Sequence, residues 1–113
     1  MSDSLNQLLN LCLRARRLVS GDAAVRKAID KGNVYLLLVA GDASQRTREQ
    51  FAALAREKGI PLALYGTKSD LGQVFQKPPR SVAAITDKHF ARGMLRALER
   101  GEGHIMSGLK SRR

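Results

Sequence analysis

The chain has 113 residues, a length that the size prior assigns to one domain with a modest buried core. Lys and Arg number 20 against 10 Asp and Glu, a net charge of +10 that draws the chain toward polyanions. A hydrophobic fraction of 43% excludes wholesale disorder, and the longest apolar run, Val34–Ala40, is far too short to span a membrane.

In chain order, MSDSLNQLLN shows no cleavable signal pattern. The single cysteine, Cys12, cannot make an intramolecular disulfide. Both features lead us to expect a cytoplasmic protein. Ser4 to Arg16 carries Leu5, Leu8, Leu9 and Cys12 at i, i+3, i+4 and i+7, the stripe of an amphipathic helix, with Asp3 or Ser4 as its cap. Cys12 lies on that stripe and so reads as core filler. Leu18-Val19 predicts a short strand. A second helix follows Ser20-Gly21-Asp22, with Val25, Ala28 and Ile29 inward, Ala23, Arg26, Lys27 and Asp30 outward, and Gly32-Asn33 as its stop.

The continuous apolar run 34–40 predicts a strand covered on both faces. Helix three spans Gln45 to Lys58, with Phe51, Leu54 and Ala55 inward and Gly59 ending it. Leu62–Tyr65 is a second buried strand, and Thr67 with Asp70 has the spacing of a capping box for a short helix through Phe75. Pro78 and Pro79 exclude regular structure from Gln76 to Arg80. Ser81–Ile85 makes the last predicted strand. Thr86 or Asp87 then caps a final helix whose inward residues are Phe90, Met94, Leu95 and Leu98. The glycine-rich segment 101–113 ends in Lys110, Arg112 and Arg113 and reads as a flexible basic tail behind a single domain, 1–100. Helices alternating with short strands predict an α/β fold with helices on both sheet faces.

Catalytic and metal-binding patterns are missing. His89 and His104 have no ligand partners at zinc spacing, and there is no nucleophile elbow. Gly66-Thr67-Lys68-Ser69 fails as a phosphate loop, because the two required glycine positions hold Thr67 and Leu62. No metal, cofactor or enzymatic activity is therefore expected. The start of helix two is different. Its first N–H groups lack intrahelical partners, and with the helix dipole they favour an anion. Arg14, Arg16 and Arg17 precede it, and Arg26 and Lys27 follow.

Three stretches in register resemble one family. They are Gly21 to Gly32 in the pattern G-x-x-x-x-x-K-A-I-x-x-G, followed by the apolar strand and Ala40-Gly41-Asp42; Glu57-Lys58-Gly59-Ile60-Pro61; and Thr67-Lys68-Ser69-Asp70-Leu71-Gly72, leading to a Pro-containing loop and Ser81-Val82-Ala83-Ala84-Ile85. Together they cover about residues 5–98 and resemble the ribosomal protein L7Ae/L30e-like family, closest to its small bacterial L7Ae-like subgroup. The resemblance implies a three-layer α/β/α sandwich around a small mixed four-stranded sheet. It also implies binding of kink-turn RNA, a bent internal loop with tandem sheared G·A pairs. In the family, the glycine matching Gly21 lets the RNA backbone approach, the lysine matching Lys27 contacts RNA, and the loop matching Lys77 to Val82 packs against the kink.

One departure stands out. Family members place asparagine and glutamate two and three residues after that glycine, where they read guanines; here those positions hold Ala23 and Ala24. Neither can donate or accept through its side chain. Backbone contacts survive such a change, because they need only charge and N–H groups.

The expected RNA-binding residues are Arg17, Gly21, Asp22, Ala23, Ala24, Lys27, Lys77, Pro79, Arg80, Ser81 and Val82, with Arg46 and Arg48 flanking. The expected partners are kink-turn-like or ribosomal RNA and ribosome-associated proteins, with no membrane, for a monomeric protein. Two alternatives stay open: an accessory or protein-interaction domain without autonomous RNA specificity, and a substrate-recruiting domain for an RNA-modifying enzyme.

Overall fold

The structure, a computed structural model, describes residues 3–99 and 104–107, the first two and last four of these by backbone alone. Its elements follow the order α1 (Asp3–Arg14), β1 (Leu18–Ser20), α2 (Asp22–Lys31), β2 (Leu36–Val39), α3 (Gln45–Lys58), β3 (Leu62–Leu64), α4 (Lys68–Val74), β4 (Val82–Ile85), α5 (Lys88–Ala97) and β5 (His104–Ser107).

The sheet order is β1-β4-β2-β3-β5. Strands β2 and β3 run parallel, while β4 lies antiparallel to both β1 and β2, so the expected mixed four-stranded sheet is present. A fifth strand extends it. Residues 104–107, expected in a flexible tail, pair antiparallel with β3 and cover an edge that would otherwise expose a row of backbone groups. The remaining tail, 101–103 and 108–113, lies outside the described residues.

Side-chain alternation divides the core in two. Leu18, Leu36, Leu38, Ala63, Ala83 and Ile85 face α1, α4 and α5, where they meet Leu5, Leu9, Leu71 and Met94. Leu37, Val39, Leu62, Val82 and Ala84 face α2 and α3, where they meet Val25, Ile29 and Phe51. Cys12 is fully buried in the first layer, as expected of core filler.

Helix ends follow the chemistry of their caps. Ser44 accepts from the Thr47 amide at 3.1 Å, and Thr67 and Asp70 form the expected capping box. Asp87, rather than Thr86, caps α5, accepting from the amides of His89 and Phe90. Those bonds, Phe90's foremost, hold its carboxyl below the usual carboxylate range. Helix α1 takes in both residues expected to cap it and ends two residues before Arg16. Leu54, Phe90 and Leu95 are half-buried rather than fully inward.

Candidate nucleic-acid interface

The registers Ser20↔Ala83, Val39↔Val82 and Val39↔Leu64 bring four strand termini to one end of the sheet. The chain leaves β1 there into α2, leaves β2 at Gly41, leaves β3 into α4, and enters β4 from the proline loop. In α/β sheets the carboxyl ends of parallel strands are where ligands bind, since helix starts and loops converge there.

Gly21 is the N-cap of α2, with φ 95° and ψ 151° and no side-chain cap hydrogen bond. The first intrahelical bond is the Val25 amide to the Gly21 carbonyl, at 3.0 Å. The amides of Asp22, Ala23 and Ala24 precede it and begin the helix with no intrahelical partner. All three residues are exposed. A Cβ placed on Gly21 would meet nothing within 4 Å, so the space over this turn is open.

The proline loop is anchored beside it. Gly72 of α4 lets the loop lie directly on the helix, for a Cβ there would come within 2.9 Å of the Lys77 carbonyl oxygen. The Arg80 amide donates to the Lys68 carbonyl at 3.0 Å, and the Ala40 amide donates to the Ser81 carbonyl at 2.8 Å. The Gly21 amide donates to the Val82 carbonyl at 3.0 Å. Arg80 is half-buried, and its Nε donates to Ser20 Oγ at 3.4 Å, which sets the guanidinium next to the helix start.

Of the expected site residues, the structure therefore brings together Gly21, Asp22, Ala23, Ala24, Arg80, Ser81 and Val82. Val82 contributes only its carbonyl, since its side chain is buried among the α2 and α3 residues. Lys77 and Pro79 are exposed on the loop, and Lys27 is exposed one turn into α2. Among the described residues Lys27 enters no ion pair.

Arg17 is not part of this constellation. It precedes β1 at the opposite end, about 13 Å from Gly21 by strand rise, where its carbonyl accepts from the Thr86 amide at 2.8 Å. Four residues of sequence separation are short along a helix but long along a strand.

Two features were not legible as site chemistry. Arg26, grouped by sequence with the outward residues, ties α2 to α3: Nε reaches Asp22 Oδ1 at 2.6 Å, Nη2 reaches Gln50 Oε1 at 2.9 Å, and the guanidinium sits 4.8 Å from the Phe51 ring centroid. The pairing offsets the Asp22 charge where it would oppose an anion. Lys68 opens α4 beside the Arg80 loop, and its amide donates to Asp42 Oδ1 at 2.7 Å. The capping box that fixes the start of α4 was the signal that could have found it. Arg48, expected as a flanking contact, turns its Nε back to the Ala43 carbonyl at 3.2 Å.

The model of the ribosomal protein L7Ae/L30e/S12e/Gadd45 family matches residues 3–95. The RNA-binding protein YlxQ of Bacillus subtilis (strain 168) is 33% identical over 92 residues, which cover 81% of this chain and 92% of YlxQ. A Bacillus halodurans protein of unknown function superposes with a TM-score of 0.80 at 29% identity, covering 88% of this chain and 99% of that one. The resemblance seen in the three sequence stretches is thereby established, and the chain belongs to the ribosomal protein L7Ae/L30e/S12e/Gadd45 family.

Proposed function

We propose that this protein is a non-enzymatic binder of structured RNA that grips a bent backbone between the start of α2 and the loop Lys77–Arg80. The observation that carries the reading is the joining of those two elements by the Gly21–Val82 and Arg80–Ser20 hydrogen bonds. The amides of exposed Asp22, Ala23 and Ala24, an open glycine and a held guanidinium then lie together at one end of the sheet. Membership in a family of ribosomal proteins, and a relative named as RNA-binding, supply the class of ligand.

Kink-turn-like and ribosomal RNA are the ligands this corner suits. A bent internal loop presents phosphates from two directions, and recognition by shape and backbone is the ordinary mode for structured RNA. With Ala23 and Ala24 where base-reading side chains would stand, affinity comes chiefly from phosphates. We place the protein in the cytoplasm as a monomer; no helix among the described residues is long and apolar enough to cross a membrane.

The test is a titration of a kink-turn RNA and of a straight duplex of equal length against wild type, Lys27→Glu and Arg80→Glu. The bent RNA should bind more tightly than the duplex, with a steep salt dependence. Each reversal should weaken the bent complex several-fold or more. Unchanged affinity in both variants would overturn the site.

The exposed alanines also favour a second reading, an accessory domain held in a ribosome-associated assembly by protein contacts. Nuclease treatment of a lysate before capture separates the two. A complex that survives digestion supports the accessory role.

A further inference from the structure

The opposite end of the sheet carries its own cationic surface, and it has a feature that the Gly21 end lacks. Leu18, Ile85 and Leu36 lie in one row across β1, β4 and β2. The next row outward is Arg17, Thr86 and Tyr35, fixed by the Thr86 amide bonding to the Arg17 carbonyl at 2.8 Å and the Tyr35 amide to the Ile85 carbonyl at 2.9 Å. Tyr35 is 39% exposed, and with Leu11 it is one of two large apolar side chains left open to solvent among the described residues. At the same end of the sheet the chain places Arg16 and Arg17 before β1, Lys31 at the end of α2, and Lys88 at the start of α5, all exposed. Of the carboxylates at this end, Asp87 is engaged as the α5 cap, and exposed Asp30 directly precedes Lys31.

Arg16 adds an independent observation. Helices α2 and α3 both end on a left-handed glycine, Gly32 with φ 76° and Gly59 with φ 70°. Helix α1 turns by the same geometry, but the left-handed residue is Arg16, with φ 61°. The turn is closed by the Arg16 amide to the Leu13 carbonyl at 3.0 Å and the Arg17 amide to the Cys12 carbonyl at 2.9 Å. An arginine is strained in a conformation that a glycine adopts freely. Backbone strain held by surrounding structure points toward a function for the strained residue.

We infer that this end is a second RNA-contact surface, where Tyr35 stacks on an unpaired base and Arg16, Arg17, Lys31 and Lys88 hold the flanking phosphates. Base stacking on an exposed aromatic among cations is how sequence-tolerant single-strand binding works. The occupant is a single-stranded RNA segment, and the surface does not depend on the bent-RNA site for its chemistry. Because the two surfaces lie at opposite ends of the strands, a structured element and an adjoining unpaired segment can engage together.

The probe is a fluorescent oligouridine, measured by anisotropy beside a kink-turn RNA. Tyr35→Ala should weaken oligouridine binding about tenfold, the loss of one stacked base, whereas Tyr35→Phe should retain it. Arg16→Gly should raise the melting temperature, by relieving the turn, and weaken oligouridine binding at the same time. A merely structural arginine would not move these two readouts in opposite senses. Arg80→Glu should leave oligouridine affinity within a small factor of wild type. If kink-turn RNA fails to bind while oligouridine still depends on Tyr35, the bent-RNA reading falls and this surface stands. The inference is overturned if wild type does not bind oligouridine, if Tyr35→Ala binds it normally, or if Arg80→Glu abolishes its binding.

Discussion

The Gly21 amide donates to the Val82 carbonyl at 3.0 Å, one backbone bond joining the start of α2 to the strand that leaves the proline loop. It fixes the spacing between an uncapped helix end and the Arg80 guanidinium, so the two cannot be treated as separate basic features. Either alone would be a weak anion site. Held together, they set the α2 amides and a guanidinium at one place on the sheet end, the arrangement on which the proposed grip of a bent backbone rests.

Gly21→Ala tests the corner from its open side. The new methyl meets no protein atom within 4 Å, so the cost to folding comes from φ 95° alone. That should be ~1–2 kcal/mol in urea unfolding. The methyl projects into the open space where RNA would approach, and affinity should fall about tenfold or more, equivalent to losing a charged hydrogen bond. Full affinity in the folded variant would show that RNA does not touch this turn.

Gly72→Ala tests the corner from behind. Its methyl would crowd the Lys77 carbonyl oxygen at 2.9 Å and the Pro78 carbonyl carbon at 2.8 Å, both backbone atoms without an easy way to yield. The loop must shift, at a cost of ~1–3 kcal/mol for overpacking, and Arg80 shifts with it. RNA affinity should therefore drop although no contacting residue has changed. Normal affinity combined with lowered stability would uncouple the loop from binding.

Local chemistry accounts for what the sequence revealed. Helix α3 runs Gln45–Lys58, as expected, because Ser44 caps one end and Gly59 closes the other. The buried run 34–40 and the proline loop were similarly legible, and with them most of the corner. What escaped depends on distant partners. Arg26 reads as part of a solvated face because the ring it covers, Phe51, lies on another helix. Strand β5 pairs with β3 through backbone groups, within a glycine-rich segment that shows no strand alternation. Arg16 in a left-handed turn has no signature, since glycine is the residue that announces one.

Arg26 should matter to binding without touching RNA. It holds the Asp22 carboxylate at 2.6 Å and leans on Phe51. Arg26→Ala releases a negative charge beside the helix start and removes an exposed pair worth only ~0–1 kcal/mol to folding. The expected result is a several-fold loss of RNA affinity at low salt with little change in stability. Adding Asp22→Asn should recover most of that loss. If the double variant binds no better than Arg26→Ala, charge compensation is not the role of the pair.

Cys12 gives the fold a pH signature. Burial pushes its thiol up to about 12, with Asp87 adding to the shift and Arg17 opposing it. The unfolded thiol ionises near 9.0, so the thiol's contribution is intact below that pH and is lost as pH climbs toward about 12, where the unfolded state alone has shed its proton. Wild type should therefore lose more stability across that window than Cys12→Ala in paired urea titrations. At neutral pH the buried thiol should react with alkylating reagents only as fast as the protein opens. Rapid alkylation without unfolding would contradict the burial.

Placing asparagine and glutamate at the two positions where the family resemblance implies base readers is the sharpest test of the proposed RNA site. Ala23 and Ala24 are exposed in the first turn of α2, so Ala23→Asn and Ala24→Glu require no repacking. An acidic residue there also suits the helix dipole. Each restored base contact should add about 1–3 kcal/mol of discrimination, by analogy with bidentate contacts to bases. The double variant should then prefer a bent loop with tandem G·A pairs over the same loop with Watson–Crick pairs by at least tenfold more than wild type does. The phosphate contacts proposed for Arg80 and Lys27 are left unaltered, so the preference should persist as salt rises while total affinity falls. If the variant gains equally on both RNAs, or on neither, the helix start does not face base edges and the corner holds backbone alone.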